Sequence, residues 1–137
     1  MTSSSPVPDG FAPLPDAGAF VDHVGPVFVR EADGVVGVRV EDRHLNAAGT
    51  AMGGFLATLV DVSIGRAVRA NADGEAAVAT VSLTTDYLKP GPAGAWLEAR
   101  CEVERLGGSL AFVDCSLRAD DDEIVRARAV FAVRTED

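Results

Sequence analysis

The pattern of apolar and polar residues predicts one long helix between two groups of strands. From about residue 52 to residue 70, apolar residues recur every three or four positions, which is the period of an amphipathic helix. Elsewhere the period is close to two, as in strands. The predicted strands precede the helix at residues 27–30 and 35–41 and follow it at residues 77–88, 95–106, 109–119 and 123–134.

Short connections join the predicted strands, and short connections favour antiparallel neighbours. An Asp-Gly turn at residues 33–34 joins the first two strands, and turns rich in glycine, proline or aspartate join the last four. The pattern therefore predicts an α+β fold in which one six-stranded antiparallel sheet is covered by one principal helix.

The N-terminal residues have a different composition. Residues 1–18 are rich in proline and serine and are predicted to be a flexible arm, which Phe11 and Leu14 could anchor. A short helix is predicted at residues 16–24, with Asp16 as its N-cap and Gly25-Pro26 as its end.

Composition and charge exclude several classes of function. A chain of 137 residues with a formal net charge of −9 is one domain without the basic field that nucleic-acid binding needs. No apolar run has the length of a membrane span, and the N-terminus does not resemble a secretion signal. Cys101 and Cys115 lie within strand-like segments and are expected to be free thiols, so we expect a cytoplasmic protein.

The predicted helix carries one carboxylate among small residues. Glycines at its first turn, Gly53 and Gly54, leave N–H groups and the positive end of the helix dipole open to an anion or a polarised carbonyl oxygen. Asp61 lies two turns further on, either as a catalytic acid or as a surface residue paired with Arg66 or Arg69. Helical spacing predicts two faces. The apolar face contains Leu56, Leu59, Val60, Ser63 and Ala67. The face of small residues contains Gly54, Ala57, Asp61, Gly65 and Val68.

These residues form a recognisable motif. The pattern Asn46-x-x-Gly49-x-x-x-Gly53-Gly54, followed by Leu59-x-Asp61, resembles the signature of the small hotdog-fold acyl-CoA thioesterases of the phenylacetyl-CoA and 4-hydroxybenzoyl-CoA type. In that family a histidine precedes the glycine pair, whereas this chain has Met52. The resemblance covers residues 24–134 and implies a single hotdog domain at residues 19–137, with the sheet wrapped around the central helix.

The resemblance also implies an activity, the hydrolysis of an acyl-CoA thioester to an acid and a thiol without a cofactor or metal. It implies a homodimer with shared active sites, or a tetramer of such chains. The implied catalytic roles are general base or nucleophile for Asp61, oxyanion donor for the N–H of Gly53, orientation of the thioester for Asn46, and positioning of water for Thr80. The implied substrate-binding residues are Met52, Gly54, Lys89 and Arg105.

Each role has an alternative. Asn46 could simply form a turn before Gly49, and Thr80 is a common residue in strands.

Because CoA is polyanionic and the chain is acidic, the nucleotide of CoA would need a local basic patch, of which Lys89 and Arg105 are the candidate members. Arg43, Arg66 and Arg69 are also available, but each is more typical of a solvated surface charge.

The function as a whole has alternatives too. Because methionine can neither donate a hydrogen bond nor take a proton, the chain could be an acyl-CoA binder without activity. A hotdog hydratase or dehydratase would need a histidine paired with an acid, and the positions of His23 and His44 do not favour that reading.

Overall fold

The computed structural model describes residues 6–72 and 76–135. Residues 1–5 of the predicted arm lie outside the described residues, as do residues 73–75 and residues 136–137 of the predicted domain. The elements in chain order are β1 (Phe11–Pro13), α1 (Ala19–Val24), β2 (Phe28–Arg30), β3 (Val35–Arg39), a 3-10 turn (Asp42–His44), α2 (Gly53–Asn71), β4 (Ala76–Tyr87), β5 (Trp96–Leu106), β6 (Leu110–Ala119) and β7 (Asp122–Thr135).

The strands form one antiparallel sheet in the order β1-β2-β3-β5-β6-β7-β4. The sheet packs against α2 through its strands β3 to β7, and the core lies between them. The predicted central helix and antiparallel sheet are therefore confirmed. Among the described residues, no helix has the length and hydropathy needed to cross a membrane.

The sheet has seven strands, one more than predicted, because β1 forms within the predicted arm. It pairs with β2, so that Phe11 lies opposite Arg30. The Phe11 ring meets the Trp96 ring edge-on at 5.2 Å between centroids, and Gly37 leaves room for the indole, which a Cβ atom there would contact. A three-residue strand that ends in proline gives no alternating pattern, which is why the sequence did not reveal it.

The first helix, α1, begins later than predicted. Its N-cap is Gly18, and Asp16 lies in a turn before it with a positive φ of 54°. Asp16 is therefore not the N-cap. The helix ends at Val24, directly before Gly25-Pro26 as predicted.

The buried face of α2 is wider than helical spacing predicted. Leu56, Leu59, Val60 and Ser63 are buried as expected, but so are Gly65 and Val68 from the predicted face of small residues. A Cβ atom at Gly65 would lie 3.4 Å from the Phe131 ring, so this glycine allows close packing of β7. Five strands pack against the helix, and the side of it that includes Gly54, Ala57 and Asp61 remains at least partly exposed.

The edge strand β4 contains an irregularity that sequence periodicity did not indicate. Thr80 lies opposite Phe131 and Ser82 lies opposite Val130, so Val81 is an additional residue in β4. Such bulges redirect the side chains beside them. Val78 is half-buried before the bulge and Leu83 after it, which shows the change of alternation, and Val81 is 59% exposed.

Candidate active site

The carboxylate of Asp61 and the hydroxyl of Thr80 are hydrogen-bonded between α2 and β4. Thr80 Oγ1 donates to Asp61 Oδ1 at 2.7 Å. Arg66 instead pairs with Glu31 at 2.9 Å, and neither Arg66 nor Arg69 forms an ion pair with Asp61 within the described part of the chain. The half-buried Asp61 therefore has one oxygen held by Thr80, while no partner for Oδ2 occurs among residues 6–72 and 76–135.

Asp61 and Thr80 line a cavity of about 660 Å³. Its walls are the exposed side of α2, the inner side of β4, and residues 14–21, which comprise the end of the arm and the start of α1. This volume is within the range of pockets that hold small-molecule ligands. The pair of polar groups thus faces a space large enough for a substrate.

The N-terminus of α2 presents unpaired backbone donors. Met52 is the N-cap, and its side chain accepts no hydrogen bond from the helix. Among the described residues, no acceptor bonds the N–H of Gly53 or Gly54. A Cβ atom at Gly54 would have no neighbour within 4 Å, which leaves the backbone open to a ligand. The side chain of Met52 is 53% exposed beside this turn.

Tyr87 joins this turn to the edge strand. Its hydroxyl donates to the carbonyl oxygen of Gly53 at 2.9 Å, and its ring lies 3.5 Å from where a Cβ atom of Gly53 would be. No local sequence pattern predicts this contact, because the two residues are 34 positions apart and Tyr87 continues an ordinary strand pattern.

Asn46 holds the loop before α2. Its Oδ1 accepts from the N–H of Ala48 at 2.9 Å and from that of Thr50 at 3.2 Å, and its Nδ2 donates to Thr50 Oγ1 at 3.2 Å. Gly49 has a φ of 84°, which suits glycine. These bonds have the geometry of the turn-forming alternative for Asn46.

His44 is a buried structural residue. Nδ1 accepts from the N–H of Glu41 at 2.9 Å, Nε2 lies 2.6 Å from the carbonyl oxygen of Val24 and donates to it, and the ring stacks on Phe55 at 3.9 Å. Burial lowers the pKa of His44 and keeps the ring neutral. With both nitrogens bonded, His44 has none free for proton transfer, which further disfavours the hydratase reading.

One chain does not bring Lys89 and Arg105 together. Lys89 pairs with Asp122 at 2.9 Å, beside one end of β6, whereas Arg105 lies opposite Phe112, near the other end. The ten residues of β6 span roughly 30 Å. A single basic patch formed by both residues of one chain, as the sequence suggested, is therefore not present.

Gly53 and Asp61 are also separated. Eight residues along a helix correspond to about 12 Å. One thioester carbonyl cannot touch both the N–H of Gly53 and the carboxylate of Asp61 in the same chain, since each contact needs about 3 Å.

Comparison with known proteins identifies the class of protein. The model of the thioesterase superfamily matches residues 48–126, which include the glycine turn, Asp61 and Thr80. The chain therefore belongs to the thioesterase superfamily, a family of thioester hydrolases, and the predicted hotdog fold is confirmed.

Individual relatives agree with this assignment. The chain is 35% identical over 128 residues to the Pseudomonas aeruginosa protein named "Putative esterase PA0474", covering 91% of this chain and 96% of that one. The structure of BH2602 from Bacillus halodurans, solved with CoA, matches with a TM-score of 0.78 at 19% identity over 85% of this chain and 77% of that one. The structure of smu.793 from Streptococcus mutans, bound to acetyl CoA, matches with a TM-score of 0.69 at 26% identity over 74% of this chain and 81% of that one.

Proposed function

We propose that the protein hydrolyses acyl-CoA thioesters, with Asp61 as general base or nucleophile. The observation that carries this proposal is the carboxylate of Asp61, held at one oxygen by Thr80 and open at the other in a cavity of ligand size. An open carboxylate oxygen can take a proton from water or attack a carbonyl carbon. The smu.793 structure bound to acetyl CoA supports CoA as the thiol part of the substrate.

Two routes lead to the products. As a base, Asp61 removes a proton from water while the oxygen of that water bonds to the thioester carbon. The C–S bond then breaks, and Asp61 passes the proton to the leaving sulfur, which gives the acid and the thiol. As a nucleophile, Asp61 bonds to that carbon directly and the C–S bond breaks to release the thiolate; water then cleaves the resulting anhydride, which frees the acid and Asp61, and a proton from that water converts the thiolate to the thiol. In both routes the carbonyl oxygen becomes negative, and the unpaired N–H of Gly53 is our candidate for its donor.

Thr80 has two functions in this scheme. By donating to Oδ1 it fixes the orientation of Asp61, and the lone pairs of its own oxygen remain able to accept from the attacking water. Met52 and the open backbone of Gly54 would flank the thioester, and Asn46 would act indirectly, by holding the loop before Gly53.

A second copy of the chain would complete the site. The 12 Å between Gly53 and Asp61 favours a homodimer in which one subunit supplies the donor and the other the acid. The edge strand β4 is a candidate interface, because it is 12 residues long and pairs only with β7 among the described strands. Exposed Val81 and Tyr87 on β4 fit this assignment. Two such dimers could form a tetramer.

The phosphates of CoA would be contacted by Lys89 or Arg105. Both residues could do so at one site only if they came from different chains.

The cysteines agree with a cytoplasmic location. Cys101 and Cys115 lie opposite each other on β5 and β6 as free thiols, as expected of a protein that works in the reducing cytoplasm.

Release of thiol from a panel of acyl-CoA thioesters tests the function. We expect turnover by the native protein and a fall of at least about 100-fold in Asp61→Asn, which keeps the size of the side chain but removes its basicity. Asp121→Asn, at an exposed turn, is the matched control and should not change the rate. An Asp61→Asn protein with native turnover would exclude the proposed role of Asp61, and a native protein that releases no thiol would overturn the function.

Met52 motivates the second candidate, an acyl-CoA binder without turnover. Its exposed thioether stands where the family has a histidine, and it offers no hydrogen-bond donor. That candidate predicts that a non-hydrolysable acyl-CoA thioether binds while no thioester is cleaved. It also predicts that Met52→His introduces activity rather than increasing it.

A further inference from the structure

The cavity beside Asp61 has an apolar wall that comes from outside the central motif. Residues 14–21, which we term the N-terminal wall, contribute Leu14, Ala17 and Phe20 to the lining. Leu14 and Ala17 are partly buried against the core, whereas Phe20 is 65% exposed. A largely exposed aromatic side chain that lines a ligand-sized cavity is available to bind a ligand.

Apolar side chains also lie on the opposite sides of the cavity, namely Val62 of α2, Val78 and Leu83 of β4, and Phe131 of β7. Asp61 and Thr80 lie in the same lining. An acyl group whose carbonyl is attacked by Asp61 would therefore extend along apolar side chains.

Charge in the cavity disfavours a carboxylated acyl group. The charged residues of the lining are three carboxylates and two guanidinium groups, namely Asp16, Glu31, Asp61, Arg66 and Arg69. Arg66 already pairs with Glu31 at 2.9 Å. The remaining lining offers no surplus of positive charge to bind an anionic tail, and burial of an unpaired charge is costly.

We propose that the N-terminal wall forms one side of the acyl-binding site and that Phe20 contacts the acyl group. The substrate class is then thioesters with an uncharged, apolar acyl group larger than acetyl. This inference rests on the proposed function, since Asp61 places the reacting carbonyl in this cavity. It makes Phe20 a specificity-determining residue of α1, which lies outside the motif of residues 46–61.

Selectivity between acyl groups tests the inference. The values of kcat/KM are measured with acetyl-, hexanoyl-, decanoyl- and phenylacetyl-CoA for the native protein, Phe20→Ala and Phe20→Leu. The matched control is Val7→Ala, an exposed apolar residue of the arm that does not line the cavity. Because one lost apolar contact in a binding pocket changes kcat/KM by roughly 10-fold or more, we expect Phe20→Ala to lower the values for the larger groups by about 10-fold relative to acetyl-CoA.

Phe20→Leu should restore most of the preference, and Val7→Ala should leave it unchanged. An unchanged ratio in Phe20→Ala would overturn the inference. An equal loss for every substrate together with a smaller oligomer on size-exclusion chromatography would also overturn it, because Phe20 would then be only a subunit contact.

Binding of S-alkyl-CoA thioethers separates this inference from the proposed function, since thioethers cannot be hydrolysed. We expect affinity to rise with alkyl length in the native protein and to rise less in Phe20→Ala. If the native protein shows this trend but cleaves no thioester, the acyl site is supported and the proposed hydrolysis fails. If affinity is independent of alkyl length while thioesters are cleaved, the hydrolysis stands and the acyl site is wrong.

Discussion

The loop before α2 and the Asp61–Thr80 pair each contain one polar residue of the family motif, Asn46 and Asp61, yet their surroundings differ. In the loop, the chain itself satisfies the polar side chains, as His44 bonds Glu41 and Val24, and Asn46 bonds Ala48 and Thr50. At the pair, a single hydrogen bond at 2.7 Å leaves one carboxylate oxygen facing a cavity. The side chain of Asn46 is thus satisfied within the loop, whereas Asp61 keeps one oxygen open to the cavity.

Because of this difference, substitutions in the two regions are expected to affect different properties, namely stability and turnover. Substitution of a residue that builds the loop should lower stability, because it leaves buried groups without partners. Substitution at the helix start or at the pair should lower turnover, because these groups have bonding capacity left for a substrate.

The largest effect is expected from Gly53→Pro. Proline suits the first position of a helix and lacks the N–H, and the φ of −61° and ψ of 133° at Met52 suit a residue before proline. We expect kcat to fall by roughly 100- to 1,000-fold with the fold retained, as for other lost oxyanion donors.

Gly53→Ala is the control for this variant. It keeps the N–H, and its Cβ atom would lie at an ordinary 3.5 Å from the Tyr87 ring. If both variants turn over at the same rate, the N–H of Gly53 is not the donor.

His44→Phe should lower stability more than turnover. The variant keeps an aromatic ring beside Phe55 but leaves the N–H of Glu41 and the carbonyl of Val24 unpaired, so we expect a loss of about 2–4 kcal/mol in the free energy of unfolding. Urea denaturation measures this loss. His23→Gln, at an exposed position, should change the free energy by less than about 0.5 kcal/mol.

The pH dependence of that stability gives a second test of His44. Burial lowers the pKa of His44 in the folded state, so the unfolded chain binds a proton at this histidine at a higher pH than the folded chain does. Stability should fall as the pH drops below about 6.5, the ordinary pKa of histidine, and the fall should be smaller in His44→Phe. An equal fall in both proteins would contradict this role.

Thr80→Val is expected to have the smallest effect. Valine has nearly the same shape but cannot donate to Asp61 Oδ1. We therefore expect a loss of roughly 10-fold in kcat, or about 1.4 kcal/mol, which is close to the lower end of the range for a hydrogen bond to a charged group. Thr85→Val, on the same strand after the bulge, is the control. Native turnover in Thr80→Val would show that Thr80 does not orient Asp61.

The sequence predicted the elements better than their surroundings. Helical spacing located α2, and the family resemblance indicated Gly53, Asp61 and Thr80 as candidate site residues, because both signals are local. The burial of Gly65 and Val68 depends on how far the sheet wraps around the helix, which no local pattern contains. The bulge at Val81, the bond from Tyr87 to Gly53, and the contribution of residues 14–21 to the cavity likewise depend on distant parts of the chain meeting.

A mixing experiment with Asp61→Asn and Gly53→Pro tests the central claim most directly, namely that the acid and the donor of one site come from two subunits. Each variant alone should be almost inactive. After subunit exchange of an equal mixture, half of the dimers would be mixed and each would hold one intact site, so about a quarter of native thiol release should return. A mixture no more active than its parts, with subunit exchange shown independently, would contradict a shared site.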